Sequence, residues 1–434
     1  MTQDNTLHIG MKIKMLRDSI NMTQKHLAEL IYVSQSVISK IENGSAICPP
    51  NTLNRIRATL DIKNAPLLES ERIVFARRLQ HWHDEINARR LLSARKMREE
   101  MAVILKLPFE NDMAMRYLLF DAKLIIVEGS KPEEAIEILN KVEAAMPKLS
   151  IQNRYYLHYI KGLLCLYNHD NKLALDYFLT AEEHSISGTE LSLHYNMAVC
   201  YARLGKPFYS IKLLEKAIVM VGIEKSQVLT EINMLLAVNY IHLKRYNKAN
   251  SMLDECLLDA ICINDPELLG KILHHIGCIF QHTNKHDIAI EYFIKAFKFY
   301  SESGWYYIEN VYHIYYCQVM LSQFNQHEER HVKAYNLAAK SEAYELLFES
   351  LPHLANLKDI ASCLYIESII PRLMHMQRYY IALDYCRLLI RTYEDRKNHT
   401  GVYRIKAFSA DIYEEMIYCG DNHVILPCQL MPLS

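Results

Sequence analysis

Residues 327–331, HEERH, match the HExxH pattern, which on a helix places two histidines on one face and a glutamate beside them. Such a pair can bind zinc, and the glutamate can act as a general base. Catalytic zinc helices of this kind are buried and keep the two intervening positions uncharged. Here Glu329 and Arg330 fill those positions within the polar stretch SQFNQHEERH. We therefore interpret the segment as the solvated start of a helix.

The other residues capable of chemistry also lack the spacing of a catalytic or metal site. His81, His83 and the pair His274-His275 have no further ligand at a metal-binding distance in sequence, so we interpret them as core or groove residues. We find no glycine-rich phosphate loop and no nucleophile elbow. Most of the 29 tyrosines fall where packing needs a large ring. The sequence therefore indicates no enzyme, no catalytic residue, no metal and no cofactor.

Residues 22–44, MTQKHLAELIYVSQSVISKIENG, do carry an interaction pattern, that of two short helices across a tight turn. Thr23 is a good N-cap of the first helix, and Ser34 of the second. Asn43-Gly44 is typical of a left-handed helix end. Apolar side chains form an inner stripe, namely Leu27, Leu30, Ile31, Ile38 and Ile41. The opposite face is polar and includes Gln35, Ser36, Ser39 and Lys40.

The pattern TQxxLAxxxxVSxxxISxIENG, followed by Pro49 and a predicted helix over 52–60, resembles the Xre (lambda-repressor-like) DNA-binding domain across about residues 6–66. The resemblance implies that Gln35 and Ser36 read base edges in the major groove and that Gln24 and Lys40 hold phosphates or flanking bases. A small helical bundle with no nucleic-acid role is the alternative. The predicted DNA-binding residues are Gln24, Gln35, Ser36, Ser39, Lys40 and Asn43.

Charge and composition agree with a globular regulator of several domains. The chain has 434 residues, is 50% hydrophobic and 23% charged, and has a net charge of -1. Residues 1–66 hold eight Lys/Arg against five Asp/Glu, and residues 71–106 hold nine against five. This second basic run fits a solvated helix face as well as a phosphate-contacting linker. Eleven scattered cysteines, no secretory segment and no long apolar run predict a cytoplasmic chain that does not enter a membrane.

The region after residue 70 has helical periodicity throughout and contains internal repeats of tetratricopeptide type. Small residues recur where two helices of a pair would cross closely. The clearest units run through Gly162, Ala174, Phe178 and Ala181; Ala198, Tyr201, Ser210, Leu214 and Ala217; Ala237, Tyr240, Ala249, Leu253 and Cys256; and Gly277, Phe280, Ala289, Phe293 and Ala296. Such an array binds peptides or protein segments on its concave face, or it only spaces or dimerises the DNA-binding domains.

A helix-turn-helix followed by these repeats resembles the RRNPP family of peptide-pheromone receptors (Rgg, Rap, NprR, PlcR and PrgX), and the length favours the NprR-like branch. Segments 194–217, 237–249 and 274–296 look like Rap and NprR repeats. The resemblance implies that asparagines on the first helix of each helical pair, called the first helices below, hold the backbone of a signalling peptide. His275 departs from the asparagine that is usual there, and Asn239 could instead cap a neighbouring repeat. The predicted peptide-binding residues are Tyr159, Tyr195, Asn196, Asn239, His275 and Gln281.

We therefore predict an all-α chain, with a five-helix Xre domain at 1–66, a basic helical linker or first helical pair at 67–110, and a right-handed repeat superhelix at 111–434. The predicted function is a cytoplasmic quorum-sensing transcription regulator. Its predicted partners are a double-stranded operator with an inverted repeat, a short re-imported peptide and a second copy of the chain. Two alternatives remain open: a Rap-like adaptor that sequesters a sporulation response regulator, and an Xre regulator whose repeats bind only proteins.

Overall fold

The computed structural model describes residues 10–418, apart from 11–12, 15, 19, 61–66, 68, 107–109, 130, 186–190, 222–225, 301–304, 326–328 and 340. Every regular element in these residues is helical. None of the described helices is long and apolar enough to cross a membrane. The prediction of an all-α chain is confirmed.

The amino-terminal helices begin at the predicted caps. Helical residues lie within 10–18, and three helices follow: α1 (Gln24–Leu30), α2 (Gln35–Glu42) and α3 (Pro50–Thr59). The Thr23 hydroxyl accepts a hydrogen bond from the His26 amide at 3.1 Å, as an N-cap should. Gly44 ends α2 with a φ of 69°, in the left-handed conformation that the sequence predicted.

Two details of the predicted helix-turn-helix are wrong. Ser34 has the extended backbone of an N-cap, but its side chain makes no capping hydrogen bond. Leu30 is 45% exposed rather than part of the buried stripe. The buried face of α1 is formed by Leu27, Ala28 and Ile31, and at roughly 100° per residue Leu30 lies about a quarter turn or more from its centre.

A helical pair follows, α4 (Glu69–Asn87) and α5 (Leu91–Met101), together with α6 (Asn111–Glu128) and α7 (Pro132–Glu143). Trp82 is fully buried, and its indole N–H donates to the Ala94 carbonyl at 2.9 Å, which joins α4 to α5. Its ring also packs against Tyr117 of α6, with the ring centroids 5.1 Å apart. The segment is thus a packed pair of helices.

The basic run of this pair is partly neutralised within the chain. Five of its nine basic side chains form ion pairs with carboxylates, namely Arg72 with Glu110, Arg78 with Glu100, Arg90 with Glu85, Arg95 with Glu128 and Arg98 with Asp121. These pairs favour a structural role over phosphate contact for these five side chains.

The chain divides into two compact units. One comprises Met1–Leu164 with Thr180–Ile186, and the other comprises Cys165–Leu179 with Ser187–Ser434. The helices α8 (Ile151–Tyr167) and α9 (Asn171–Glu183) supply residues to both. The predicted domain boundaries at 66 and 110 stay a prediction, and residue 66 lies outside the described residues.

The second unit is built from successive helical pairs. The helices are α10 (Leu191–Arg203), α11 (Pro207–Val221), α12 (Gln227–His242), α13 (Tyr246–Ile263), α14 (Pro266–His282), α15 (His286–Phe297), α16 (Trp305–Met320), α17 (Glu329–Ala338), α18 (Glu342–Ala355), α19 (Ile360–His375), α20 (Tyr379–Asp395) and α21 (His399–Tyr418). A left-handed residue recurs at the turn inside each pair every 38 to 40 residues, at Gly205, Lys244, Asn284 and Ser322.

The small residues of the repeats lie where the sequence predicted. Ala198, Ala237 and Ala289 are fully buried between the two helices of their pairs. A Cβ added to Gly277 would come within 2.7 Å of the Phe293 ring, so this crossing has no room for a larger residue. Close helix crossing therefore explains the repeat pattern.

In the described part of the HExxH segment, α17 begins at Glu329, and Glu329 and Arg330 are exposed, as a solvated helix start predicts. His327 and Glu328 lie outside the described residues, but His331 is buried on α17. Its imidazole packs edge-on against Tyr315, with the ring centroids 4.8 Å apart, and against Phe324. The interpretation as a solvated start is thus wrong for His331, because aromatic residues of α16 and the turn after it cover the ring.

Candidate DNA interface and candidate peptide cavity

The predicted recognition helix α2 presents its polar face to solvent. Gln35, Ser36 and Lys40 are exposed, as is Asn43 at the helix end, whereas Ser39 is half-buried. Ile38 and Ile41 point into the core formed with α1 and α3. The amphipathic pattern of the sequence therefore places four of the predicted DNA-binding side chains on one accessible surface.

Gln24 is engaged elsewhere. Its side-chain amide donates to Glu42 Oε2 at 2.7 Å, and Arg17 donates to both oxygens of the same carboxylate, at 2.7 and 3.0 Å. Arg17 also donates to the Met22 carbonyl at 2.6 Å. We call Arg17, Gln24 and Glu42 the carboxylate clamp. In this conformation Gln24 holds the recognition helix in place, and its predicted contact with phosphates or flanking bases stays a prediction.

The carboxylate clamp was not predicted from the sequence. Glu42 lies one turn after Ile38 on the inward side of α2, and only 2% of its surface is exposed. An acidic residue on the buried stripe of a short helix is a signal, because a buried charge requires a partner. Hydrogen bonding to Glu42 raises the pKa of Arg17, although burial opposes this effect.

The second unit contains a cavity of about 650 Å³. Its wall comes from the turns after α10 and α12, the end of α14, and two helices near the carboxyl terminus, α20 and α21. The lining residues are Gly205, Lys206, Pro207, Phe208, Tyr209, Ile241, His242, Leu243, Lys244, Tyr246, His282, Tyr380, Leu383, Asp384, Arg387, Tyr413, Met416 and Ile417.

The wall of the cavity is aromatic and basic. His242 stacks on Tyr380 with ring centroids 3.9 Å apart. Burial lowers the pKa of His242 to about 3 and that of His282 to about 4, so both rings are neutral at pH 7. The lining of the cavity includes three basic side chains, Lys206, Lys244 and Arg387, and one carboxylate, Asp384. Arg387 forms an ion pair with Asp384. The cavity suits a ligand with apolar groups and a negative charge.

Three predicted peptide-binding residues are buried instead. Tyr159 stacks against Tyr155 in the core of the first unit. Asn239 has no exposed surface and donates to Ser210 Oγ at 2.9 Å and to the Leu235 carbonyl at 2.8 Å. Gln281 accepts a hydrogen bond from His313 at 2.9 Å. The amide of Asn239 therefore joins two repeats, which was the alternative recognised from its position next to Tyr240.

The other three predicted residues are half-buried on first helices of the array. Tyr195 packs beside the cluster around Ala198 and Leu235, and Asn196 follows it on α10. His275 lies on α14 beside His274, with ring centroids 5.3 Å apart. Their role in peptide binding stays a prediction. None of the six predicted residues lines the cavity.

The cavity was missed because its wall is assembled from distant parts of the chain. The Asn171 amide donates to the Gln377 side chain at 3.0 Å, so the carboxyl-terminal helices return to the early repeats across 206 residues. The left-handed residue Gly205 is a local signal, because it fixes the turn that forms one wall. No local pattern predicts which helix faces it.

The amino-terminal domain matches a known family, and larger parts of the chain are similar to known proteins. Residues 13–63 match the helix-turn-helix family HTH_3. The chain is 26% identical over 278 residues to the transcriptional activator NprA of Geobacillus stearothermophilus, over 61% of this chain and 66% of that protein. It is also 26% identical over 231 residues to the regulatory protein RapD of Bacillus subtilis (strain 168), over 51% and 64% respectively.

These alignments span about two thirds of the length of both relatives, which are named as regulators and not as enzymes. Among solved structures, NprR in complex with its cognate peptide NprX matches with a TM-score of 0.64 and 20% identity, over 77% of this chain and 98% of that one. At this identity the likeness shows the fold. The helical array of this chain therefore shares the fold of that protein.

Proposed function

We propose that the chain is a peptide-responsive transcription regulator of the RRNPP type, since its residues 13–63 match a helix-turn-helix family and it is similar to NprA and RapD. It binds operator DNA through α2 and a short signalling peptide through the cavity of the second unit. It acts in the cytoplasm, after re-import of the peptide. The observation that carries the proposal is the exposed polar face of the recognition helix α2, whose other face is packed in the core.

The DNA contact rests on the surface and the start of α2. Gln35 and Ser36 lie in its first turn, where base edges of the major groove are read in domains of this type. Because Ser34 makes no capping hydrogen bond, the first amide groups of α2 remain available to a phosphate oxygen. Lys40 adds positive charge one turn later. The same helix thus offers contacts to both bases and backbone.

One domain of this size reads only a few base pairs, so specific binding requires two copies. A two-fold dimer places two recognition helices at half-sites about one helical turn, or a multiple of it, apart. We propose that the chain is a homodimer on an inverted repeat.

The peptide contact rests on the size and charge of the cavity. Its 650 Å³ lies within the range of about 300–1000 Å³ that is usual for small-ligand sites, so it holds part of a short peptide. Lys206, Lys244 and Arg387 favour a peptide that carries a carboxylate, either terminal or acidic. The NprR structure contains a cognate peptide on the same fold, which supports this assignment. Peptide binding would shift the population of array conformations and thereby change DNA binding.

A selection from randomised DNA duplexes tests the DNA contact. We expect the full chain to enrich one inverted repeat. The double variant Gln35→Ala, Ser36→Ala should lose roughly 1 to 3 kcal/mol at that site and relax the base preference, because each base contact contributes about that much discrimination. Lys216→Ala, an exposed side chain on α11, is the control and should select the parent sequence. Unchanged affinity and selectivity in the double variant would refute the assignment of α2.

A second candidate is a Rap-like adaptor, and the similarity to RapD favours it. In this role the array would hold a response regulator of the sporulation phosphorelay and release it when peptide binds. Co-elution of the purified chain with such a response regulator, lost on addition of peptide, would support it. Separate elution at micromolar concentrations of both proteins would rule it out.

A further inference from the structure

Two first helices of the array bring several metal-binding side chains together, apart from the 650 Å³ cavity. His274, His275 and Cys278 lie on α14, and Glu309 and His313 lie on α16. Two sets of three share His274: His274, His275 and Cys278, and His274, Glu309 and His313. Within each set the candidate ligand atoms lie within 4.8 Å of one another.

The hydrogen bonds around His274 fix the orientation and the tautomer of its ring. Asn310 Nδ2 donates to the Phe293 carbonyl at 2.5 Å, so the amide oxygen of Asn310 faces the other way. That oxygen lies 3.0 Å from His274 Nδ1 and can only accept, so Nδ1 carries the proton. Nε2, on the other side of the ring, faces the Cys278 sulfur and offers a lone pair in the neutral imidazole that binds a metal. A metal-binding histidine is usually oriented in this way, by a partner on its other nitrogen.

The Cys278 sulfur stands opposite that lone pair. Cys278 follows His274 by one helical turn, and its Sγ is 3.6 Å from His274 Nε2. With Zn–S at about 2.3 Å and Zn–N at about 2.0–2.1 Å, a tetrahedral zinc ion separates these two ligand atoms by about 3.5–3.6 Å. The pair therefore already has the spacing of two ligands of one ion. His275 supplies the third ligand, a second imidazole nitrogen, from the same helix.

We propose that His274, His275 and Cys278 bind a divalent transition-metal ion of the zinc class, with His274 Nε2 and Cys278 Sγ as the first two ligands. Binding displaces the thiol proton of Cys278 to solvent and forms a metal–thiolate bond without any redox change. A mixed nitrogen and sulfur set favours such an ion over Mg²⁺ or Ca²⁺. Three protein ligands leave one position for water or for a further donor.

The consequence would be a metal-dependent link within the array. Asn310 belongs to α16, which is the first helix of the following pair. Its side chain therefore holds the His274 ring of α14, which would bind the ion. Occupancy of the site would restrain these two helices relative to each other. This inference is independent of the peptide and DNA assignments and stands whether or not they are correct.

The test uses the full chain stripped of metal with a chelator and then titrated with Zn²⁺ against a chromophoric competitor. We expect one equivalent to bind, and Cys278→Ser and His274→Gln each to weaken binding at least about tenfold. Titration with Co²⁺ should give a thiolate-to-cobalt charge-transfer band. Cys278→Ser should abolish this band, whereas Cys262→Ser, which changes an exposed thiol on α13, should retain it.

Circular dichroism and the melting profile of each metal-free variant show whether it is folded, and serine closely matches the size of cysteine. The proposal is overturned if folded Cys278→Ser keeps the parent affinity and the cobalt band. It is also overturned if His313→Gln or Glu309→Gln abolishes binding while Cys278→Ser does not, since the ion would then use the other set. The proposal is likewise overturned if the parent chain does not bind Zn²⁺ stoichiometrically.

Discussion

Glu42 illustrates how a single residue can fix the candidate DNA interface. It is a buried carboxylate at the end of the recognition helix, and a charge in such a place is tolerated only when it is paired and hydrogen-bonded. Arg17 and Gln24 provide those contacts from two other parts of the domain. The carboxylate clamp therefore sets the position from which Gln35 and Ser36 can face DNA.

Breaking the carboxylate clamp should strongly destabilise the helix-turn-helix. Arg17→Met leaves Glu42 buried without its main partner, which costs about 3–5 kcal/mol. Hydrogen exchange of the α1 and α2 amides in the full chain should accelerate accordingly. The double variant Arg17→Met, Glu42→Leu removes both charges and should recover most of the protection. Lys25→Met, at an exposed site on α1, is the control, and equal protection in Arg17→Met and in this control would contradict the account.

Tyr32 adds a second prediction, about the turn between α1 and α2. It has a φ of 58° and is 86% exposed, so a bulky residue adopts a left-handed conformation and gains little burial. Tyr32→Gly should stabilise the domain by about 1 kcal/mol, because glycine adopts this conformation without the penalty. Tyr32→Ala retains the penalty and should give no such gain. Denaturant melts of both variants would show this, and a less stable glycine variant would refute it.

Patterns of neighbouring residues predicted the roles of some side chains but not the hydrogen bonds between distant ones. Thr23 and Gly44 behave as the sequence predicts, because a cap and a left-handed turn depend on neighbouring residues only. The hydrogen bond of Gln24 to Glu42 was not predicted, because the two residues are 18 positions apart and no local pattern pairs them. Asn239 was predicted only as one of two alternatives, since an amide on a first helix can join repeats or bind a peptide.

At the scale of elements, the repeat pairs follow from the positions of small residues. Helices that cross closely need alanine, glycine or serine at the contact, and this requirement is visible in the sequence. The candidate peptide cavity follows from no such pattern. It depends on α20 and α21 packing near residues 205–209, a contact between segments almost 200 positions apart.

Two tyrosines of α21 provide a matched test of the cavity. Tyr413 lines it and is 49% exposed, whereas Tyr403 is 75% exposed and does not line it. A synthetic signalling peptide that binds the parent chain should bind Tyr413→Ala at least tenfold more weakly, a loss of about 1.4 kcal/mol. Tyr403→Ala should bind as the parent does. Calorimetry that shows equal affinities for both variants would place the peptide elsewhere.

For the whole molecule, the class of the fold could be predicted from the sequence. Helical periodicity, few glycines and prolines, and one motif of high specificity led to an all-α chain with a helix-turn-helix and a repeat array, and this is confirmed. The division into units was harder to predict, because α8 and α9 each supply residues to both and no linker composition marks the border.

If one chain couples a peptide to an operator, its affinity for the operator depends on the peptide. Fluorescence anisotropy of the full chain on its selected inverted repeat, with and without a peptide already shown by calorimetry to bind, measures this coupling. We expect saturating peptide to change the apparent Kd for the operator at least tenfold, in either direction, and Tyr413→Ala to require proportionally more peptide for the same change. An operator Kd that is the same with and without bound peptide would contradict the proposed coupling.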